Sequence, residues 1–151
     1  MGPGVTTPAE IADALADALS DLTGTEDIEV ASRMVFSPGQ AQIDIYPADP
    51  AEEDVTFGPE SRTHWWTIRM RTATADGESV QDFLLASRAP AGDGSVREAL
   101  LTDPTLGGLV DNIQIQGPSG YRFYSDPSGS ATRYVGQEWK VGTVVSDGDF
   151  S

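Results

Sequence analysis

The sequence predicts an α+β domain: a single mainly antiparallel (mixed) β-sheet, with an N-terminal helix and two mid-chain helices packed on it. Three observations carry this reading. Apolar residues recur at helical spacing near the N-terminus, behind a capping signature. The period then falls to two over residues 27–46 and again in "THWWTIRMRTAT". Two more helical stretches follow, the second of them capped, and the C-terminal third alternates again. The 151 residues suit one domain, 1–151, and contain no internal repeat.

Residues 1–6 read as a loose arm. In "TPAEIADALADALSDLTG", Thr7 is the N-cap, Pro8 takes the first helical position and Glu10 completes a capping box. Ile11, Leu15, Leu19 and Leu22 mark the buried face, Asp13, Asp17 and Asp21 another, and Gly24 ends the helix. Two strands are expected within 27–46, on either side of a "SPGQ" turn. The stretch "YPADPAEEDVTFGPES" follows, and residues 47–62 are expected to form a long acidic loop. Its length and polarity mark it as functional rather than a simple connector.

"THWWTIRMRTAT" is the strongest strand, with Trp66, Ile68, Met70 and Thr72 on one face and Trp65, Thr67, Arg69 and Arg71 on the other. "ESVQDFLLASRAP" predicts a helix with Val80, Phe83 and Leu84 inward. A third helix starts at Ser95, with a capping box to Glu98, and buries Val96, Ala99 and Leu100. Pro104 disfavours helical geometry at Asp103, so this helix should end near Thr102. Asp103 then caps a single turn, Leu106 tucks onto the core, and Gly107-Gly108 lets the chain reverse into a strand from Leu109 to Ile115. "DPSG" is a type I turn, and Trp139, Val141, Thr143 and Val145 form one face of the last strand. The acidic end, residues 146–151, is expected to fray.

Composition narrows the function. There is no cysteine, which excludes disulfides and thiolate metal sites. With 24 acidic against 9 basic residues the net charge is −15, so the chain will not hold DNA by neutralising phosphates. It is expected to be soluble and to repel a polyanion. No apolar run approaches the roughly 18 residues of a membrane span. Met1-Gly2-x-x-x-Thr6 fits the loose N-myristoylation pattern, but Pro3 argues against it.

Catalytic signatures are sparse. His64 is the single histidine, sits in a strand and lacks a Gly-x-Ser-x-Gly elbow, so it reads as structural. No Ser-x-x-Lys accompanies Lys140, which reads as an exposed strand lysine; no Walker A or Gly-x-Gly-x-x-Gly sequence occurs. Asp49, Glu52, Glu53 and Asp54 are the best candidates for a carboxylate pair or a hard-cation site. Their spacing departs from an EF-hand, and a solvated, repulsive loop is the preferred reading. Trp65 with Arg69 and Arg71 suits stacking on bases or sugars, though a covered sheet face is preferred. No cofactor or metal is expected.

The run "VREALLTDPTLGGLVDNIQIQG", followed after an acidic hairpin by "YVGQEWKVGTVV", resembles the tail terminator (tail completion) proteins of long-tailed bacteriophages, especially those of actinobacterial phages. It covers roughly the last 55 residues well; the N-terminal helix and strands agree in order only. The resemblance implies a non-enzymatic virion protein at the head–tail junction, present in the host cytoplasm during assembly. It implies a homo-hexameric ring that stops polymerisation of the tail tube and presents a surface to the head connector, with genomic DNA passing through unbound. Its partners would be further copies of itself, the major tail tube protein and the connector or stopper protein, with no membrane involved. On this reading Asp49, Glu52, Glu53 and Asp54, with Asp13, Asp17 and Asp21, are lumen or axial-face candidates, and Arg69 and Arg71 are candidates for pairing with acids across the ring interface. A head-completion or stopper protein is the alternative from the same machinery; a carboxylate-using hydrolase is the alternative from another class.

Overall fold

The structure is a computed structural model that describes residues 7–20, 22, 29–35, 42–48, 53–55, 61–73, 81–92, 94–125 and 133–146. The arm 1–6, the "SPGQ" and "DPSG" turns, Asp21, Gly24, Val80 and residues 147–151 lie outside them. In chain order the elements are α1 (Pro8–Ser20), β1 (Glu29–Ala31), β2 (Gln42–Pro47), β3 (Glu53–Val55), β4 (Ser61–Ala73), α2 (Gln81–Ser87), α3 (Val96–Leu101), β5 (Asn112–Gln116), β6 (Arg122–Ser125) and β7 (Arg133–Ser146). This is the expected α+β fold: one mixed sheet carrying an N-terminal helix and two mid-chain helices.

The sheet is built around one long antiparallel pair. β4 and β7 run together from Ser61↔Ser146 to Ala73↔Tyr134. β2 and β3 line up end to end along the free edge of β4, and β5 and β6 do the same along β7. Among the described residues β1 is the one parallel addition, beside β2. The seven strands exceed the five or six expected, because Glu53–Val55 pairs with β4 inside the segment read as a loop. That correction has a simple cause: acidic residues mask a short strand when a long partner supplies the ladder.

α1 begins as its sequence dictates. The Thr7 hydroxyl accepts from the Glu10 amide, and the Glu10 carboxylate accepts from the Thr7 amide, each at 3.3 Å. Ile11, Leu15 and Leu19 are fully buried, each worth about 1.5–3 kcal/mol relative to exposure. They pack on Ile43, Ile45, Trp66, Ile68, Met70, Trp139 and Val141, the helix-side face of the sheet. Leu84 of α2 and Val96 and Leu100 of α3 complete this core. Among the described residues no helix is long and apolar enough to cross a membrane.

Two polar residues inside the core are fully engaged. Thr143 accepts from the Trp66 indole at 3.1 Å and donates to the His64 carbonyl at 3.2 Å. Gln137 anchors α2: its amide nitrogen donates to the Ser87 hydroxyl at 2.6 Å and to the Leu84 carbonyl at 3.3 Å, and its oxygen accepts from Arg88 at 2.7 Å. α3 is capped by Ser95, whose hydroxyl accepts from the Glu98 amide at 3.1 Å. The Glu98 carboxylate bonds the Gly92 amide instead of closing the box back onto Ser95.

The joint after α3 is a compact turn. Asp103 accepts from the Gly107 amide at 2.7 Å and the Thr105 hydroxyl at 3.0 Å. Leu106 takes φ of 51°, already left-handed, and is buried to 7 % exposure, before Gly107 and Gly108 continue with positive φ. The turn consumes residues up to Val110, whose amide bonds Thr105, so β5 starts at Asn112 rather than Leu109.

Candidate functional site

The outer face of the sheet, away from the helices, carries the strongest electrostatic feature among the described residues. Asp44 on β2 stands directly opposite Arg69 on β4, and Arg71 lies one pleat further on the same face. Asp44 is fully buried and accepts four hydrogen bonds. Arg69 donates through Nε at 3.1 Å and Nη2 at 2.6 Å, Arg71 through Nη2 at 3.3 Å, and the Val35 amide at 2.9 Å. Both arginines also donate to the Val35 carbonyl, at 3.3 and 2.9 Å. The two polar groups of the Val35 backbone are thus bonded to side chains rather than to a strand, so residues 32–35 leave the ladder and strap across the face. This explains why the apolar stretch at Met34 and Val35 does not extend β1.

Aromatic rings enclose this cluster. The Arg69 guanidinium lies 5.1 Å from the Tyr46 ring and 5.7 Å from the Tyr124 ring, and Arg71 lies 5.9 Å from Tyr134. Tyr124 donates to Glu138 at 2.8 Å. Burial, reinforced by that bond to a carboxylate, pushes the Tyr124 phenol well above its ordinary range; burial raises Tyr46 as well. The arginines diverge. Burial works against the charge of Arg69, yet its bond and attraction to Asp44 prevail and raise its pKa. Burial dominates at Arg71 and lowers its pKa. With every near neighbour a donor, Asp44 is built as a clamp and not as a general base.

Arg69 and Arg71, expected to pair with acids across a ring interface, pair with Asp44 inside their own chain, with side chains 14 % and 2 % exposed. The stacking surface suggested for Trp65 is also occupied: its ring packs over Gly142, with Lys140 Nζ 5.2 Å away. Lys140 is accordingly half-buried rather than exposed.

The acidic candidates separate. Asp49, Glu52 and Asp21 lie outside the described residues, and the backbone of Glu53 and Asp54 belongs to β3. Asp13 and Asp17 are exposed on α1. Asp13 meets Arg33 at 3.4 Å in the open, a pair worth little. Asp17 has company that spacing did not reveal: with Glu98 and Asp103 it rims a cleft between α1 and α3, floored by Ala14, Ala18 and Ala99. Among the described residues no group of three His, Asp or Glu side chains is arranged to hold a metal ion.

Asp44 is the residue that sequence reasoning passed over. The signal was present: a lone aspartate in the strand "QIDIY", on the parity opposite Ile43 and Ile45, demands a partner if its face is covered. No protein-family model matches the chain, and a search of curated proteins returns no significant match.

Proposed function

We propose that this chain is a structural virion protein of a long-tailed phage. It forms a ring at the head-proximal end of the tail, stops tube polymerisation and offers the attachment surface for the head connector. The observation that carries the reading is the resemblance of "LLTDPTLGGLV" and of the terminal Glu-Trp strand to tail terminators. Those residues form the Asp103-held turn leading into β5, and the β7 strand at the centre of the sheet. The charge of −15 supports it further, since a negative lumen lets DNA slide without being trapped. On this reading the chain needs no cofactor, and the repulsion belongs to its excess of 24 acidic over 9 basic residues as a whole.

The test is negative-stain imaging of particles made when the gene is disrupted. Overlong or ragged tails that fail to join filled heads are expected. Normal-length free tails beside leaking heads would move the protein to the head-completion or stopper position. Unaltered infectious particles would refute a role at the joint and turn attention to hydrolysis by the Asp17, Glu98 and Asp103 cleft.

A further inference from the structure

We propose that copies of this chain join head to tail, with the aromatic and arginine-bearing face at β6 of one copy seated on the acid-rimmed α1–α3 cleft of the next. The proposal rests on the ring reading for closure only; the contact itself is argued from two complementary surfaces of the monomer.

The first surface is apolar where a solvated protein gains nothing from it. Phe123 is 77 % exposed, Leu85 58 % and Tyr121 37 %. The register sets Phe123 opposite Val135, hence on the helix-bearing side of the sheet. Tyr121, two residues earlier, lies under the Arg88 guanidinium at 5.1 Å, and Leu85 is one turn back from Arg88 on α2. Arg133, two residues before Val135, is exposed beside Phe123. In a chain with nine basic residues, two of them committed to Asp44, this is a local concentration of positive charge around aromatic rings. Aromatic residues and arginine are the types enriched at interface centres.

The second surface has the opposite character. Asp17, Glu98 and Asp103 rim the α1–α3 cleft, and all three are exposed. Among the described residues no cation pairs with them. The alanine floor leaves room between the helices for a ring from outside. Two copies of a chain at −15 repel each other, so a stable contact must oppose unlike charge locally. This pair of faces does so. Because they are different patches, the contact is heterologous and propagates into a ring or filament rather than stopping at a two-fold dimer.

The absence of cysteine makes the test direct. Ser125→Cys, on the same face of β6 as Phe123 and leaving that ring in place, and Ala18→Cys are purified separately, mixed at high concentration and treated with a short bismaleimide. Thr102→Cys serves as a second position on the cleft. A covalent dimer forming only in the mixture is expected, with the yield falling several-fold in Phe123→Ala, Arg88→Glu or Arg133→Glu backgrounds. Self-linking of Ser125→Cys alone would overturn the proposal in favour of an isologous contact. No cross-link between variants that keep native circular dichroism and melting would overturn it outright. The tail-imaging result is independent: overlong tails without this cross-link retain the terminator reading and discard the interface, whereas cross-links with unaltered particles do the reverse.

Discussion

Replacing Asp44 by asparagine is the sharpest test of how this fold is held. The change keeps the volume, so no cavity forms, but it removes the charge to which Arg69 and Arg71 donate. Asp44 is fully buried and the Arg71 side chain 2 % exposed, so the arginine charges are left in a poorly solvated site with only neutral acceptors, the Val35 carbonyl and the single amide oxygen of the new side chain. Breaking a buried pair by removing one partner costs about 3–5 kcal/mol. For a chain of this size that corresponds to a drop of roughly 6–20 °C in Tm, at ~2–4 °C per kcal/mol. The assay is thermal and urea unfolding, with hydrogen exchange at the Val35 amide as the local readout, because that amide donates to Asp44. The triple change Asp44→Leu, Arg69→Met, Arg71→Met should recover most of the loss, since buried ion clusters rarely outperform well-packed apolar groups. A cost below about 1 kcal/mol for Asp44→Asn, on the same scale, would refute the clamp.

Other consequences follow from the same geometry. At Gly136 an added Cβ would sit 1.9 Å from the Met70 carbonyl oxygen, a backbone atom that cannot yield, so Gly136→Ala should cost about 3 kcal/mol or more by denaturant unfolding. At Gly142 the obstacles are side-chain atoms, the Trp65 ring at 2.8 Å and the Thr63 methyl at 2.9 Å, which can shift where a backbone carbonyl cannot, so Gly142→Ala should cost less. Ser95→Ala removes the cap of α3 and should cost about 1 kcal/mol. The Tyr124 phenol has a pKa raised on folding, so its contribution is full below the unfolded value of about 10 and is lost as pH rises through the folded value. Alkaline unfolding should therefore be shallower in Tyr124→Phe, and absorbance titration should find Tyr124 resisting ionisation.

The helical layer was legible from sequence because its signals are local. Thr7, Pro8 and Glu10 cap α1 without help from the rest of the chain, and Ser95 caps α3 in the same way. β4 and β7 were legible because each alternates over many residues against an apolar core. What escaped was non-local. The strand at Glu53–Val55 exists through its ladder to residues 62–64 of β4, which no pattern in its own three residues announces. The parallel pairing of β1 with β2 is likewise a property of the two together, announced by neither strand alone. The outer face was expected to be covered, but what meets it was not legible, for a related reason. Alternation sets Arg69 and Arg71 apart from the core and names no partner for them. Only the register, which places Asp44 opposite Arg69, converts that face into a closed ion cluster. The acids split in the same way: Asp17 gains meaning only once α3 brings Glu98 and Asp103 beside it.

Charge distribution bears directly on assembly. At a net −15, two free chains repel over the Debye length, about 30 Å at 0.01 M salt, and this long-range term should dominate there. Near 0.15 M the screening length is about 8 Å, so repulsion between distant acids fades while the contact between the Phe123 face and the α1–α3 cleft, made at short range, survives. At 1 M it is about 3 Å, and the arginine–carboxylate part of that contact is itself screened. Self-association should consequently pass through a maximum at intermediate salt, read by sedimentation velocity or by the yield of the Ser125→Cys and Ala18→Cys cross-link. Arg133→Glu should lower the maximum and, because it takes the net charge two units below −15, should also weaken association on the low-salt limb. Association rising steadily to molar salt would mean that apolar burial of Phe123 and Leu85 alone drives it, and that the acid rim of the cleft plays no part.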